Sequence, residues 1–317
     1  MQFGGGVSNC LHSEDAGVRC KQESQTSGTD DWYSTFSPEC GKRPREAQIF
    51  RKKPQTPKLG GATVQDWPRA AKITQGESSE YGMYPWQVGV RKVTFESSFS
   101  GFNWCGGTIL NKHWILSAAH CFDRVHKSQI TLRTGDHNNT IKDEYEQEFA
   151  VDAIYMHENY DNGTHDYDVA LLKISMNNGE GIRFNDYVQP ACLPNMDTPY
   201  ISGTLCHISG WGKTERGVSA TVLREAMVPL IDDTRCRSLH HNSSITSRMF
   251  CAGYEKGRID TCQGDSGGPL VCEIDDKYTV LGATSWGIGC GRRRYPGVYT
   301  HIRNLLPWIT DKLTKYN

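Results

Sequence analysis

The sequence has little net charge and no long apolar run. Its 35 basic and 36 acidic residues leave a formal charge of -1, so no overall positive field directs the chain toward nucleic acid or an anionic membrane. No stretch approaches the roughly 20 apolar residues that cross a bilayer. These absences predict no nucleic-acid partner and no membrane span, and they favour proteins or peptides as partners.

Two further absences concern the secretory route. The twelve cysteines include no Cys-x-x-Cys pair, so the pattern favours disulfides in an oxidising compartment over zinc. Asn138, Asn162 and Asn242 begin sequons for glycosylation. The opening residues, however, lack the basic and apolar regions of a signal peptide. We therefore expect a secreted, extracellular glycoprotein whose natural sequence begins farther upstream.

Helical periodicity is scarce. After Lys72 the chain consists of short β-rich runs, such as Gln147 to Tyr155 and Tyr278 to Trp286, separated by Gly, Asn and Asp clusters. Only the C-terminus shows helical spacing, with Pro307 in what would be the first turn. The pattern predicts an all-β barrel or sandwich followed by one helix, whose buried positions are Leu305, Leu306, Ile309 and Leu313.

The N-terminal part divides into two segments. Residues 7–20 read VSNCLHSEDAGVRC, which resembles the closing segment of a scavenger receptor cysteine-rich (SRCR) domain. Residues 1–22 are therefore interpreted as a truncated SRCR remnant, or more plainly as disordered chain, in which Cys10 and Cys20 either bond each other or remain free. Residues 23–72 are interpreted as a linker and activation segment, since nine basic and two acidic residues lie between Gly41 and Lys72. Residues 73–317 form the predicted catalytic domain.

A nucleophilic serine is indicated by the run from Asp260 to Pro269, DTCQGDSGGP, which contains Ser266. A serine hydroxyl needs a base to accept its proton and donors to hold the resulting oxyanion. The string from Trp114 to Cys121, WILSAAHC, offers His120 as that base. These motifs resemble the chymotrypsin/trypsin family of serine proteases, the standard example of a Ser-His-Asp triad.

The third triad member is predicted in the string from Asp168 to Lys173, DVALLK. Asp168 would accept the imidazole N-H of His120, and Asp166 is the alternative carboxylate. The apolar run after Asp168 favours Asp168, because that run would be the strand that anchors it. The order His, Asp, Ser matches this family and differs from the orders in subtilisin and α/β-hydrolases.

The resemblance also implies how substrate is held. Backbone N-H groups of Gly264 and Ser266 would form the oxyanion hole. Asp260 would pair with a substrate Lys or Arg at the base of the primary pocket. Ser285, Gly287 and Gly297 match the substrate-binding walls, and Ser285 is also expected to hydrogen-bond Asp168.

Activation follows from the same resemblance. Ile73 aligns with the family's mature N-terminus, although Thr74 and Gln75 stand where the family usually has Val-Gly. Cleavage after Lys72 would free the Ile73 α-amine to pair with Asp265 and order the site. Because an α-amine titrates near pH 8, activity is expected to fall at alkaline pH.

The family's disulfide pattern implies five pairs in this chain, the last of which would keep a cleaved N-terminal segment attached. The implied pairs are Cys105 with Cys121, Cys206 with Cys272, Cys236 with Cys251, Cys262 with Cys290, and Cys40 with Cys192.

Two surface features carry weaker predictions. Asp136, Asp143 and Glu146 offer oxygen ligands where the family binds calcium, and an ordinary acidic loop is the alternative. Arg292, Arg293 and Arg294 lie near the pocket rim and suggest an exosite for acidic partners, with a solvated loop as the alternative.

Together these patterns predict two antiparallel six-stranded β-barrels with a C-terminal helix, and a secreted endopeptidase made as a zymogen that cleaves after Lys or Arg. The chain resembles SRCR-containing, neurotrypsin-like mosaic proteases. No cofactor is required for triad chemistry; calcium is an optional ligand. Expected partners are peptide substrates, serine protease inhibitors and an activating protease. A non-catalytic binding module is the rival class, against which the unchanged triad and oxyanion glycines argue.

Overall fold

The computed structural model describes residues 40–44, 77–93, 103–214, 216–240 and 245–316. The predicted SRCR remnant, most of the linker and the predicted cleavage site at Lys72 and Ile73 lie outside these ranges, as does the sequon at Asn242.

Six strands close into a first barrel in the order β2-β3-β4-β7-β6-β5. Its interior is apolar: β4 is buried along its whole length, and Leu116 of β4 lies opposite Leu171 of β7. In β6, buried Phe149 and Val151 alternate with exposed Ala150 and Asp152, as expected of a strand with one face on the core. The strands are β2 (Gln87–Lys92), β3 (Asn103–Ile109), β4 (Trp114–Ser117), β5 (Ile130–Thr134), β6 (Gln147–Met156) and β7 (Ala170–Ile174).

The second unit is a seven-stranded antiparallel sheet in the order β1-β9-β8-β11-β12-β13-β10. A bridge joins Leu230, just after β9, to Ala252 of β10, the last strand in this order. The Ile231 N-H also donates to the Cys251 carbonyl at 2.9 Å. The strands are β1 (Glu77–Ser78), β8 (Leu205–Gly210), β9 (Arg224–Pro229), β10 (Met249–Ala252), β11 (Pro269–Ile274), β12 (Lys277–Trp286) and β13 (Gly297–His301).

The all-β prediction is confirmed, with one difference in the second unit. Two-residue β1 adds a seventh strand, and the ring closes through the short contact at Leu230 rather than a full strand ladder. Both β-rich runs named from the sequence are strands, β6 and β12, with bounds within one residue of the expected ones.

In the described residues two α-helices accompany the strands, and the sequence predicted only one of them. Helix α1 (Asp233–Leu239) begins after Asp232, whose Oδ1 accepts the N-H groups of Thr234 and Arg235 at 2.9 and 3.2 Å. A side-chain cap of this kind stabilises a short helix by satisfying its first free donors. With only seven residues, α1 is too short to show clear periodicity.

Helix α2 (Ile302–Lys315) is the predicted C-terminal helix, and it starts earlier than expected. Pro307 is therefore its sixth residue and not part of the first turn; it has no N-H to donate to the Arg303 carbonyl. The predicted apolar positions are all buried, and they pack in one cluster with Trp86, Trp114 and Trp211 from the two sheets. This shared cluster fixes the two units against each other.

The described part of the chain contains five disulfides, and they join the pairs that the family resemblance implied. Cys40–Cys192 anchors residues 40–44, which were interpreted as linker, onto the second sheet. There the Arg43 guanidinium lies 3.9 Å from the centre of the Tyr278 ring and is almost fully buried. In the described residues no helix is long and apolar enough to cross a membrane.

Candidate active site

His120 is delivered by the end of a buried strand. After β4 the chain enters a short 3₁₀ turn, Ala119–Cys121, and Cys121 is bonded to Cys105 of β3. The strand and the disulfide fix the backbone on both sides of His120, whose side chain remains 20% exposed. An imidazole held this way has a fixed direction and access to a ligand.

Asp168 lies beside His120 because β7 pairs antiparallel with β4, with Ala170 opposite Ser117. The Asp168 side chain is 1% exposed. Its Oδ2 is 2.8 Å from His120 Nδ1, and its Oδ1 accepts the His120 backbone N-H at 2.9 Å. Ser285 Oγ donates to Oδ2 at 2.5 Å, as the sequence analysis expected of Ser285.

Burial alone would raise the pKa of Asp168, but the hydrogen bonds from His120 and Ser285 outweigh it and lower that pKa. The carboxylate is therefore ionised at neutral pH. The alternative, Asp166, instead binds Arg248 and accepts a hydrogen bond from Thr246 Oγ1 at 2.7 Å. The structure pairs His120 with Asp168.

Ser266 sits on a tight turn held between the two units. Its carbonyl accepts the N-H of Gly106, in β3 of the first barrel, at 2.7 Å, and the next residue, Gly267, donates to Thr284 of β12. Gly106 follows Cys105, the disulfide partner of Cys121. Strand β3 therefore brings the Ser266 turn and the His120 turn to the same place.

The turn leaves two backbone donors open. In the described part of the chain, the N-H groups of Gly264 and Ser266 have no hydrogen-bond acceptor, while those of Asp265, Gly267 and Gly268 are all bonded. Gly264 has φ of +101°, a conformation that favours glycine. Two unpaired donors on one turn are what an oxyanion hole needs.

Asp260 is a buried acid beside Gly297. It is 3% exposed, and its carboxylate accepts the N-H groups of Thr261 and Gly291 at 2.9 and 3.0 Å. A Cβ on Gly297 would come within 2.6 Å of its Oδ1, so glycine is required there by space. Burial raises the pKa of Asp260 to about 7, and no cation among the described residues compensates the charge.

The comparison with known families agrees with this geometry. A family model described as Trypsin matches residues 73–309, about three quarters of the chain. The chain belongs to the trypsin family. It is thus a trypsin-like serine peptidase by family, and the matched residues contain both barrels and the site just described.

A second buried acid lies next to the Ser266 turn of this trypsin-family domain. Asp265 is 1% exposed and accepts the N-H groups of Gly212 and Cys262 at 2.7 and 2.9 Å. Burial raises its pKa to about 6. Its predicted partner, the Ile73 α-amine, lies outside the described residues.

The predicted calcium ligands do come together. Single ligand atoms of Asp136, Asp143 and Glu146 lie within 4.8 Å of one another. Both carboxylate oxygens of Asp136 and one of Glu146 are buried and accept no hydrogen bond in the described residues, although Arg133 Nη1 lies 3.4 Å from Glu146. Burial, with Glu146 nearby, raises the pKa of Asp136 to about 7. This excess of buried carboxylate oxygen fits a calcium ion.

The three arginines at the rim are all exposed. Arg292 lies over the Tyr295 ring, 4.8 Å from its centre. They follow Gly291, whose N-H donates to Asp260. Gly287 is also exposed, on the segment that follows Ser285.

Two residues near the site were not singled out from the sequence. Thr300 Oγ1 donates to the Asp168 carbonyl at 2.6 Å and links β13 to the first barrel. His165, on the loop between β6 and β7, has its ring 5.8 Å from that of His120 in an edge arrangement. Burial lowers the pKa of His165. Its place three residues before Asp168 was the only available signal.

Proposed function

We propose that this chain is a secreted serine endopeptidase that cleaves peptide bonds after Lys or Arg, with Ser266 as nucleophile, His120 as base and Asp168 as the orienting carboxylate. The observation that carries the proposal is the double contact of Asp168 with His120, at Nδ1 and at the backbone N-H. It fixes the imidazole with Nδ1 as donor and leaves Nε2 as acceptor.

The chemistry follows from that arrangement. Ser266 Oγ attacks the scissile carbonyl carbon and passes its proton to His120 Nε2, while the N-H groups of Gly264 and Ser266 bind the oxyanion. The tetrahedral intermediate collapses, His120 returns the proton to the leaving amine, and an acyl-Ser266 ester remains. Water, deprotonated by His120, then releases the carboxylic acid. Asp168 stabilises the imidazolium and is not itself protonated.

Specificity for Lys and Arg rests on Asp260. Burial raises the pKa of Asp260 to about 7, and no ion pair of Asp260 is formed within the described residues, so a cationic substrate side chain would supply its counterion. Glycine at position 297 keeps a side chain from covering Asp260, because a Cβ there would come within 2.6 Å of Oδ1. An apolar side chain would leave the carboxylate buried and unpaired, which costs several kcal/mol.

Activation is proposed to occur by cleavage after Lys72. The new Ile73 α-amine would pair with Asp265, whose buried carboxylate accepts only backbone N-H groups in the described residues and lies one residue from each oxyanion donor. The Cys40–Cys192 disulfide would retain the N-terminal segment after cleavage.

Calcium is proposed as a stabilising ligand of the loop that contains Asp136, Asp143 and Glu146, and it takes no part in the reaction. The five disulfides support secretion, and exposed Asn162 is the better placed of the two described sequons. Protein inhibitors and an activating protease are the further partners that this function requires.

The test uses the full chain from an oxidising host, cleaved after Lys72 and checked for an Ile73 N-terminus. Matched peptides carrying Arg, Lys or Phe before the scissile bond are assayed with wild type and with Ser266→Ala. We expect turnover of the Arg and Lys peptides only, lost in the variant. An inactive but correctly processed chain would support the rival interpretation, a non-catalytic binding module.

A further inference from the structure

We propose that His120 and His165 form a zinc-binding site, and that zinc bound there reversibly inhibits the enzyme. The inhibition rests on the proposed function, in which His120 is the base; the binding does not.

The two imidazoles are close enough to share a metal ion. Their ring centres are 5.8 Å apart, and single ligand atoms of His120, His165 and Asp168 lie within 4.8 Å of one another. Two imidazole nitrogens about 2.1 Å from one tetrahedral zinc ion place their ring centres roughly 5 Å apart. The observed separation of the ring centres is therefore within about 1 Å of the separation expected for two zinc ligands.

His120 is already oriented as zinc-binding histidines are. Such a histidine almost always donates its second ring N-H to a carboxylate, which fixes the tautomer and makes the ligating nitrogen more basic. Asp168 Oδ2, 2.8 Å from Nδ1, is that carboxylate. Because Asp168 is buried and both its oxygens are hydrogen-bonded, it supplies negative charge behind His120 and is not a direct ligand.

His165 has an unused nitrogen. Its Nδ1 is buried and has no hydrogen-bond partner among the residues that the structure describes. An unsatisfied buried nitrogen carries a free-energy cost, and a metal ion that accepts its lone pair would remove that cost without breaking a hydrogen bond.

Zinc is the cation that fits these ligands. Imidazole nitrogen suits zinc, whereas calcium and magnesium prefer oxygen. Two protein ligands leave coordination positions for water, so binding should be reversible. A zinc ion on His120 Nε2 occupies the lone pair that must accept the Ser266 proton, so occupied enzyme should be inactive.

The first test titrates ZnCl₂ into chelator-treated, Lys72-cleaved full-length enzyme during hydrolysis of an Arg peptide. Each variant is compared with its own metal-free activity. Wild type should be inhibited, recover with EDTA, and be unaffected by the same concentrations of CaCl₂ or MgCl₂. His165→Phe should raise the half-inhibitory zinc concentration at least about tenfold, whereas the control His113→Phe, on the β3–β4 turn, should not. Absence of inhibition, or equal inhibition of His165→Phe, overturns the proposal.

The second test separates the zinc site from the proposed function. Calorimetry with ZnCl₂ on the Ser266→Ala protein measures binding without turnover. Binding should weaken at least about tenfold when His165→Phe is added, with His165→Gln as a second variant should the Phe variant fold poorly. If the metal-free enzyme hydrolyses no peptide, the proposed function fails while this binding result still decides the site. Zinc binding that His165 variants leave unchanged overturns the site.

Discussion

The buried acids of the two barrels differ in their hydrogen-bond partners and in the direction of their pKa shifts. In the first barrel, the Asp168 carboxylate receives hydrogen bonds from His120 and Ser285 that keep its pKa low. In the second barrel, Asp260 and Asp265 receive hydrogen bonds from backbone N-H groups only, among the described residues, and burial raises their pKa values to about 7 and about 6.

The difference shows which part of the site is complete before a ligand arrives. Asp168 and His120 satisfy each other within the folded chain, so their geometry is preorganised. Among the described residues, Asp260 and Asp265 accept hydrogen bonds from backbone N-H groups only, although Arg224 favours the charged form of Asp265. The proposed cations, a substrate side chain and a new α-amine, come later. The first barrel thus holds the catalytic base in position before substrate binds. The second barrel holds two buried carboxyl groups whose proposed cationic partners arrive later.

The largest expected effect comes from breaking the preorganised pair. Asp168→Asn should lower kcat by about 10⁴, because the amide favours the wrong imidazole tautomer, while the melting temperature stays near the wild-type value. Steady-state hydrolysis of an Arg peptide measures the loss. The control is Asp166→Asn, which removes the partner of Arg248 and should leave kcat within a few-fold. Equal losses in both variants would contradict the assignment.

The next largest effect is expected from substitution of Asp265, the proposed partner of the new α-amine. Asp265→Asn should reduce the activity of the Lys72-cleaved chain by roughly 10²–10³, the factor for leaving one partner of a buried ion pair alone. In the wild type, activity should also fall at alkaline pH, because the Ile73 α-amine loses its proton. Activity that stays flat to pH 11, or a fully active variant, would remove Asp265 from the activation scheme.

A smaller effect, which varies with pH, is expected for the binding of cations at Asp260. A carboxyl is neutral below its pKa, so affinity for a small amidinium cation should be constant above pH ~7 and fall about tenfold per pH unit below it. Fluorescence displacement across pH 5 to 8 measures this. Asp260→Asn should bind weakly and show no such slope; an unchanged slope in that variant would assign the titration to another group.

The smallest expected effect is on thermal stability and concerns Asp136. This residue of the first barrel differs from Asp168, because its pKa is raised by burial. Calcium at 100 times its dissociation constant adds about 2.7 kcal/mol, which corresponds to roughly 5–10 °C in melting temperature for a domain of this size. Asp136→Asn should abolish the shift seen by calorimetry, and magnesium should not reproduce it. A shift that survives Asp136→Asn would place calcium elsewhere.

Much of this arrangement was accessible from the sequence, because the motifs around His120, Asp168 and Ser266 are local strings. The β-rich character and the C-terminal helix were also predicted. What sequence could not supply was long-range closure, such as the Leu230–Ala252 bridge, and the short helix α1, which depends on one capping residue. His165 was missed because its place three residues before Asp168 has no evident meaning until the fold brings its ring near that of His120.

The Cys40–Cys192 bond sets the local concentration of the N-terminal segment at the catalytic domain. A segment joined covalently to a folded domain is held beside it at an effective concentration of the order of mM, whatever the dilution of the protein. Once Lys72 is cut, residues 1–72 would therefore stay with the domain as a tethered second chain. Any affinity that this segment has for a target would add to the affinity of the active site, and reduction of a single disulfide would end that avidity.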